Sequence, residues 1–245
     1  MIHYHGTPIG GTRQDAARFL MGRHALVSFY RPDDMAAVLE CCQSFVMDNG
    51  AFSHWRAGKG EIDFDAYVAW TLEYHRHPAF DWCLIPDKID GTEKENADLV
   101  RRWQGLMNKP KGVPVWHLHE SLDWLEWLVD RFEWVALGSS GQWATPGTPD
   151  WWQRMATAMR VICDDQGRPR CKLHGLRMLD PEVFTRLPLS SADSTNAAVN
   201  CGSLSRFGSY KPPTAGQRAE VIAARIEQHN SASIWCGHQQ NSLTI

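Results

Sequence analysis

The stretch that decides the fold is Phe45-Val46-Met47-Asp48-Asn49-Gly50-Ala51-Phe52. An apolar run ends on the carboxylate of Asp48, and a glycine follows two residues later. This order is typical of a buried parallel strand that delivers a polar side chain to the rim of a sheet or barrel. Asp48 is therefore the first candidate for chemistry.

Three further apolar runs end on titratable side chains in the same way. They close on Asp87, on His117 and His119, and on Asp193. Because the carboxyl ends of parallel strands lie on one face, these groups are expected to meet in one pocket together with Asp48.

Eight apolar runs alternate with helical patterns along the chain. The predicted strands cover residues 2–6, 25–30, 45–48, 82–87, 113–119, 134–138, 172–179 and 189–193. The predicted helices cover residues 12–21, 32–42, 64–75, 92–107, 121–131 and 149–165, a short helix that starts at Pro181, and residues 215–229. This alternation predicts a (β/α)8 TIM barrel formed by a single domain, residues 1–245, in which residues 196–245 form a C-terminal loop and a closing helix.

The composition is that of a protein with a full core, at 245 residues and 43% hydrophobic. A formal net charge of -3 gives no global basic field, so a nucleic acid would have to be held by a local patch. Arg206, Lys211 and Arg218 in the tail are the candidates for phosphate contacts.

The cysteines and the N-terminus predict a cytoplasmic protein. Seven cysteines include no Cys-x-x-Cys pair and leave one over, which fits a reducing compartment. Neither a signal peptide nor a membrane-spanning run is apparent. No membrane partner and no cofactor are expected.

Carboxylates around one pocket suit cleavage of a glycosidic bond, because positive charge develops on the anomeric carbon as the leaving group departs. The same carboxylates could instead hold a divalent metal. His117 and His119 form an His-x-His pattern like that of metal-dependent hydrolase barrels, although those enzymes carry it on the first strand. A metal-dependent hydrolase is therefore the second interpretation.

Two of the twelve tryptophans stand apart from the rest. Trp55 and Trp143 follow predicted strands three and six, at the expected mouth of the barrel. A flat aromatic side chain there could stack on a base, and packing between loops is the alternative.

The strand ends resemble those of the tRNA-guanine transglycosylase superfamily, especially its DNA-modifying, DpdA-like branch. Residues 48–52 resemble the Asp-Ser-Gly-Gly/Ala-Phe signature of that family, and residues 84–87 are similar to the strand whose Asp recognises the base. Residues 136–139 are similar to its Leu-Gly-Gly segment, and residues 192–194 to the late strand that carries its nucleophilic Asp.

The resemblance implies a barrel that flips a nucleotide out and attacks C1′ with a carboxylate. Asp193 would be the nucleophile and Asp48 the general acid/base. The residues expected to contact the base or its surroundings are Asp87, His117, His119, Gly138, Ser139, Asn49 and Phe52.

Two departures from the family pattern affect the expected substrate. The Cys-x-Cys-x-x-Cys zinc cluster of the tRNA enzymes is missing, and Cys201, Cys236 and His238 do not reproduce it, which favours DNA over tRNA and predicts no metal. Where those enzymes have a Gln after strand five, this chain has His117-Leu118-His119. Whether the base that it accepts is guanine or another base therefore stays open.

The resulting prediction is a DNA-acting glycosyl enzyme that excises a modified base and leaves an abasic site. By family habit, such an enzyme would act in antiviral defence against phages. Three alternatives stay open: a DNA or tRNA transglycosylase that inserts a 7-deazaguanine, the metal-dependent hydrolase, and a non-catalytic binder of a modified base.

Overall fold

The computed structural model describes residues 1–237. Within them, nine strand segments form one parallel sheet in the order β5-β4-β3-β2-β1-β9-β8-β7-β6. The segments are β1 Ile2–Gly6, β2 His24–Ser28, β3 Ser44–Asp48, β4 Phe80–Leu84, β5 Gly112–Val113, β6 Val115–His117, β7 Trp134–Gly138, β8 Lys172–Gly175 and β9 Ser191–Ser194.

The two terminal segments of this order, β5 and β6, are separated in the chain by Pro114 alone. Proline has no N–H to donate, so the single strand predicted at residues 113–119 is interrupted there. The carbonyl of Pro114 still accepts a hydrogen bond from the N–H of Ala136 at 2.9 Å. Because β5 pairs with β4 and β6 with β7, the interrupted strand closes the sheet into the predicted (β/α)8 TIM barrel.

Helices connect the strands along the chain. They are α1 Arg13–Leu20, α2 Met35–Cys41, α3 Ala51–Arg56, α4 Phe64–Tyr74, α5 Glu93–Gln104, α6 Leu122–Arg131, α7 Pro149–Ile162, α8 Pro181–Phe184, α9 Asn196–Asn200 and α10 Ala215–Glu227. Thr12 and Thr92 cap α1 and α5 in capping boxes with Asp15 and Glu95. Helices α3 and α9 fall outside the predicted helices.

Several strand boundaries differ from the prediction, among them the ends of β2 at Ser28 and of β6 at His117. The strand predicted to reach Asp87 ends at Leu84, so Asp87 lies in the following loop. The strand predicted at residues 172–179 ends at Gly175, because Arg177 adopts the left-handed backbone conformation, with φ 58°, which a strand cannot contain. The last strand is β9, shifted toward the C-terminus from the predicted 189–193.

Apolar side chains fill the interior of the barrel and a second layer between strands and helices. The interior cluster is Tyr4, Leu26, Val46, Trp82, Leu84, Val113, Val115, Trp134 and Ala136. Because every second strand residue points to the same face, the next inward positions lie at the carboxyl rim. On four strands these positions are Ser28, Asp48, His117 and Gly138.

The predicted C-terminal region contains α9, a 3₁₀ turn at Leu204–Phe207 and α10, and its last residues, 238–245, lie outside the described part. Helix α10 packs against α1, where the N–H of Gly216 donates to Asp15 Oδ1 at 2.9 Å. None of the helices in residues 1–237 combines the length and apolar character needed to cross a membrane.

Candidate active site

A cavity of about 860 Å³ opens at the carboxyl ends of the strands. Its size is that of a typical small-molecule site. Eight of the residues predicted from the sequence line it: Asp48, Asn49, Phe52, Asp87, His117, Gly138, Ser139 and Asp193. The other six, His119, Trp55, Trp143, Arg206, Lys211 and Arg218, lie outside its lining.

Asp48 is the last residue of β3, two positions after the interior residue Val46. Burial raises the pKa of the Asp48 carboxyl to about 7, and the negative charges of Asp193 and Asp87 act in the same direction. Hydrogen bonds from the Ser28 hydroxyl and the Gly50 N–H oppose this rise. Asp48 can therefore exchange a proton near neutral pH.

Gly50 makes the turn from β3 into α3, with φ 80°. A Cβ at this position would lie 3.0 Å from the backbone nitrogen of Tyr30. Both facts require glycine here. The tight turn is what places α3, which carries Phe52, beside Asp48.

Asp87 is held by two neighbours. Its Oδ1 accepts a hydrogen bond from Asn49 Nδ2 at 2.6 Å, and its Oδ2 lies 2.8 Å from His117 Nε2. The buried Asn49 amide also donates to the Ile85 carbonyl and accepts from the Ala51 N–H. Since its polar atoms are engaged in this way, Asn49 positions Asp87.

His117 lies at the end of β6 and is 2% exposed. Burial disfavours its imidazolium, but the hydrogen bond to Asp87 and the charges of Asp87 and Glu120 outweigh that effect, so the pKa of His117 is raised. Its Nδ1 is buried without a hydrogen-bond partner among the described residues. A Cβ on Gly138 would lie 3.0 Å from this Nδ1, so glycine at this position avoids a close contact with the ring.

Asp193 lies on β9 and is 5% exposed. Its Oδ1 accepts the backbone N–H of Arg177 at 3.0 Å. His174 Nε2 approaches the same oxygen to 3.2 Å without hydrogen-bond geometry, while Nδ1 of that ring pairs with Ser191. Among residues 1–237 no hydrogen-bond donor contacts Asp193 Oδ2, so this oxygen is available to a substrate.

Sequence reasoning missed three arginines that line the cavity, Arg31, Arg56 and Arg177. Arg56 is the last residue of α3, a helix that was not predicted. Arg177 fell inside a strand that was predicted too long. The signal that could have identified it is Gly175. If the strand ends at this glycine, Arg177 follows the carboxyl end of the strand and lies at the rim, as the other site residues do.

His119 stacks on His117 with ring centroids 5.6 Å apart, but its own nitrogens are engaged elsewhere. Nδ1 lies 2.7 Å from Ser140 Oγ and Nε2 lies 3.0 Å from the Gly91 carbonyl oxygen. These contacts join two loops and direct the ring nitrogens of His119 away from the cavity lining.

The two tryptophans expected at the mouth have other surroundings. Trp55 lies on α3, donates to Asp90 Oδ2 at 3.0 Å and lines a neighbouring cavity of about 420 Å³. Trp143 lies in a 3₁₀ turn, with the Arg154 guanidinium 5.1 Å from its ring centroid.

The three basic residues of the tail also lie away from the cavity lining. Arg218 donates to the carbonyls of Cys201, Pro212 and Pro213, and so holds the loop before α10. Arg206 and Lys211 are exposed.

The residues around the histidine pair do not form a metal-ligand set in the described chain. Within residues 1–237 no group of three or more His, Cys, Asp or Glu side chains is arranged to hold a metal ion.

The comparisons with known proteins address the fold alone. No protein-family model and no curated protein sequence matches the chain. One similar solved structure is a chain of the tryptophan synthase a2b2 complex from the hyperthermophile Pyrococcus furiosus, with 14% sequence identity, a TM-score of 0.49, and coverage of 93% of this chain and 96% of that chain. At that identity and TM-score, the likeness bears on no activity of this chain.

Proposed function

We propose that this chain is an enzyme that cleaves the N-glycosidic bond of a modified nucleotide in DNA and releases the base. The observation that carries the proposal is the meeting of Asp48, Asp87 and Asp193 in one cavity, with the pKa of Asp48 raised to about 7. Glycoside cleavage uses two carboxyl groups in different roles, one to stabilise or trap the anomeric carbon and one to move a proton. The resemblance of the strand ends to the tRNA-guanine transglycosylase superfamily agrees with this chemistry.

In the first step, Asp193 Oδ2 attacks C1′ of the sugar. The C–O bond forms as the C1′–N bond breaks, and the electron pair of that bond leaves with the base. The Arg177 N–H on Oδ1 holds the carboxylate in one orientation during the attack. The product is a glycosyl ester of Asp193.

The departing base gains negative charge and needs a hydrogen-bond donor or a proton. The Asp87–His117 pair supports this role, because the raised pKa of His117 favours its imidazolium and its Nδ1 has no other partner among the described residues. A base with an acceptor atom beside Gly138 would fit this donor.

In the second step, Asp48 takes a proton from water as the water oxygen attacks C1′, and the Asp193 carboxylate leaves. The sugar is then abasic. An incoming base in place of water would give the transglycosylase, since both reactions share the first step. The metal-dependent hydrolase gains less support, because Asp87, Ser140 and Gly91 engage three of the four ring nitrogens of His117 and His119.

The test is to incubate the protein with unmodified DNA, phage-modified DNA and tRNA, with and without added 7-deazaguanine. Free base is measured by mass spectrometry and abasic sites by alkaline cleavage. We expect free base with abasic sites from modified DNA, and no release by Asp193→Asn. Asp165→Asn, which changes an exposed residue far from the cavity lining, is the matched control and should keep full activity.

Other outcomes separate the alternatives. Release that requires added 7-deazaguanine would identify a transglycosylase. Tight binding of modified DNA without any product, unchanged in Asp193→Asn, would identify a binder and exclude catalysis by this site. Hydrolysis abolished by chelator and by His119→Ala would support the metal enzyme.

A further inference from the structure

Arg56 and Arg177 both line the cavity, as does Phe52, over whose ring Arg177 lies. Phe52 and Arg56 are four residues apart on α3, so they share one face of the helix. The guanidinium carbon of Arg177 lies 4.0 Å from the centroid of the Phe52 ring. Stacking uses the face of the guanidinium and leaves its in-plane N–H groups free to donate.

Neither guanidinium has a carboxylate partner in the part of the chain that the structure describes. The third arginine of the cavity lining, Arg31, pairs with Asp33 at 3.2 Å. Arg56 and Arg177 form no ion pair within residues 1–237, although several aspartates line the same cavity. Burial lowers the pKa of Arg177, the negative charge of Asp193 opposes this effect, and the charge of Arg56 acts in the same direction as burial, as expected for two like charges near each other.

Arg177 also links this pair to the candidate nucleophile. Its backbone has φ 58°, an uncommon conformation for a residue other than glycine, and its N–H donates to Asp193 Oδ1. Backbone strain of this kind is concentrated at functional sites. One residue therefore orients the carboxylate through its main chain and presents a guanidinium to the cavity through its side chain.

We propose that Arg56 and Arg177 form a phosphate subsite that holds a phosphate group attached to the sugar of the substrate. This inference rests on the proposed function, since it takes the substrate to be a nucleotide. Two guanidinium groups can chelate phosphate oxygens through several charge-assisted hydrogen bonds. The phosphate comes either from the backbone of a strand or from a free nucleotide.

The test measures binding of probes that carry no base on the sugar that would occupy the site. The probes are 2-deoxyribose 5-phosphate, the same sugar without phosphate, and a single-stranded pentanucleotide with a central tetrahydrofuran abasic site. Titration calorimetry gives Kd for the wild type, Arg56→Gln, Arg177→Gln and the control Arg160→Gln, which changes an exposed arginine on α7 outside the cavity lining. Because no base is released in this assay, its result is independent of whether the glycosylase reaction occurs.

We expect each of the two cavity variants to bind the phosphate-bearing probes about 10- to 100-fold more weakly, the range that one or two charge-assisted hydrogen bonds support. The control and the phosphate-free sugar should show no change. The slope of log Kd against log salt for the pentanucleotide should fall by about 0.7 per arginine removed. If the sugar phosphate shows the same losses as the pentanucleotide, the subsite accepts free nucleotides; if only the pentanucleotide does, it requires a strand.

Wild-type affinity of Arg56→Gln for both phosphate probes would overturn the proposal. So would a loss seen in Arg206→Gln or Lys211→Gln instead, because the phosphate would then lie on the tail. Arg56 is exposed at the end of its helix, so its variant is expected to fold even if Arg177→Gln does not. Arg177→Lys, which keeps the charge and loses the planar fork, should show an intermediate affinity.

Discussion

His117 Nε2 lies 2.8 Å from Asp87 Oδ2, in a pair that is almost fully removed from solvent. The pair joins β6 to the loop after β4, so an imidazole whose pKa is raised meets a carboxylate at the barrel rim. Asn49 holds the other carboxylate oxygen, which fixes the direction in which the ring faces. The arrangement makes the charge of His117 dependent on Asp87.

We predict that Asp87→Asn lowers the pKa of His117, because burial then acts without the opposing carboxylate. Turnover should fall by about 10²-fold, the lower range of general-acid effects. The alkaline limb of the rate profile should move to lower pH, since the imidazolium is lost earlier as pH rises. NMR titration of the His117 ring and single-turnover base release check both statements. An unchanged His117 titration would contradict them.

The raised pKa of the Asp48 carboxyl group predicts how the stability of the protein depends on pH. Its pKa is about 7 in the folded chain against an ordinary value of 3.8, so the unfolded chain loses this proton first as pH rises. The free energy of unfolding should therefore decrease between about pH 4 and pH 7 through this group. Asp48→Asn should remove that decrease and be more stable than the wild type at pH 8, by on the order of 4 kcal/mol.

Urea unfolding of both proteins at pH 5 and pH 8 measures this difference. Asp165→Asn, in an exposed turn, should keep the wild-type pH dependence. The idea fails if Asp48→Asn and the wild type lose stability equally between the two pH values.

The barrel could be predicted from the sequence because buried parallel strands leave a strong signal. Trp134–Gly138 is predicted to the residue, and Asp48 lies at the strand end where the apolar run stops. The signal weakens where backbone geometry, rather than side-chain polarity, ends an element. Gly175 and the left-handed Arg177 end β8 although apolar residues continue on both sides of Arg177, at Leu176 and Met178, which is why Arg177 was missed.

Gly50 shows a similar limit. Asn49-Gly50 has the composition of a turn, and the structure uses it to start α3 directly at the cavity. The missed helix carries Arg56, so the phosphate subsite proposed here could not be found from the sequence. The contacts of Trp55, Trp143 and Arg218 could not be predicted from the sequence either, since each depends on what the fold brings beside the side chain.

Gly138→Ala should impair the reaction more than the fold. The new Cβ would lie 3.0 Å from His117 Nδ1 and 3.2 Å from Val115 Cγ1, so both groups would have to shift by a few tenths of an ångström. We expect a stability loss of about 1 kcal/mol and a rise in KM for the base-releasing reaction. Gly202→Ala, where nothing lies within 4 Å of the new Cβ, is the matched control. Equal kinetics for the two variants would argue against a base beside Gly138.

Gly50→Ala tests two reasons for glycine in the turn after Asp48, the left-handed backbone conformation and the close approach of the Tyr30 backbone nitrogen. Gly22 has a similar φ of 72° with nothing within 4 Å of a new Cβ, so Gly22→Ala measures the left-handed strain alone, about 1 kcal/mol. Gly50→Ala adds a contact of 3.0 Å with the Tyr30 nitrogen, a backbone atom that cannot turn away. In urea unfolding, Gly50→Ala should lose at least about 1 kcal/mol more free energy of unfolding than Gly22→Ala. Base release should also fall, because Asp48 and α3 move together. Equal losses would mean that the loop around Tyr30 yields freely and that the position of Asp48 does not depend on this turn.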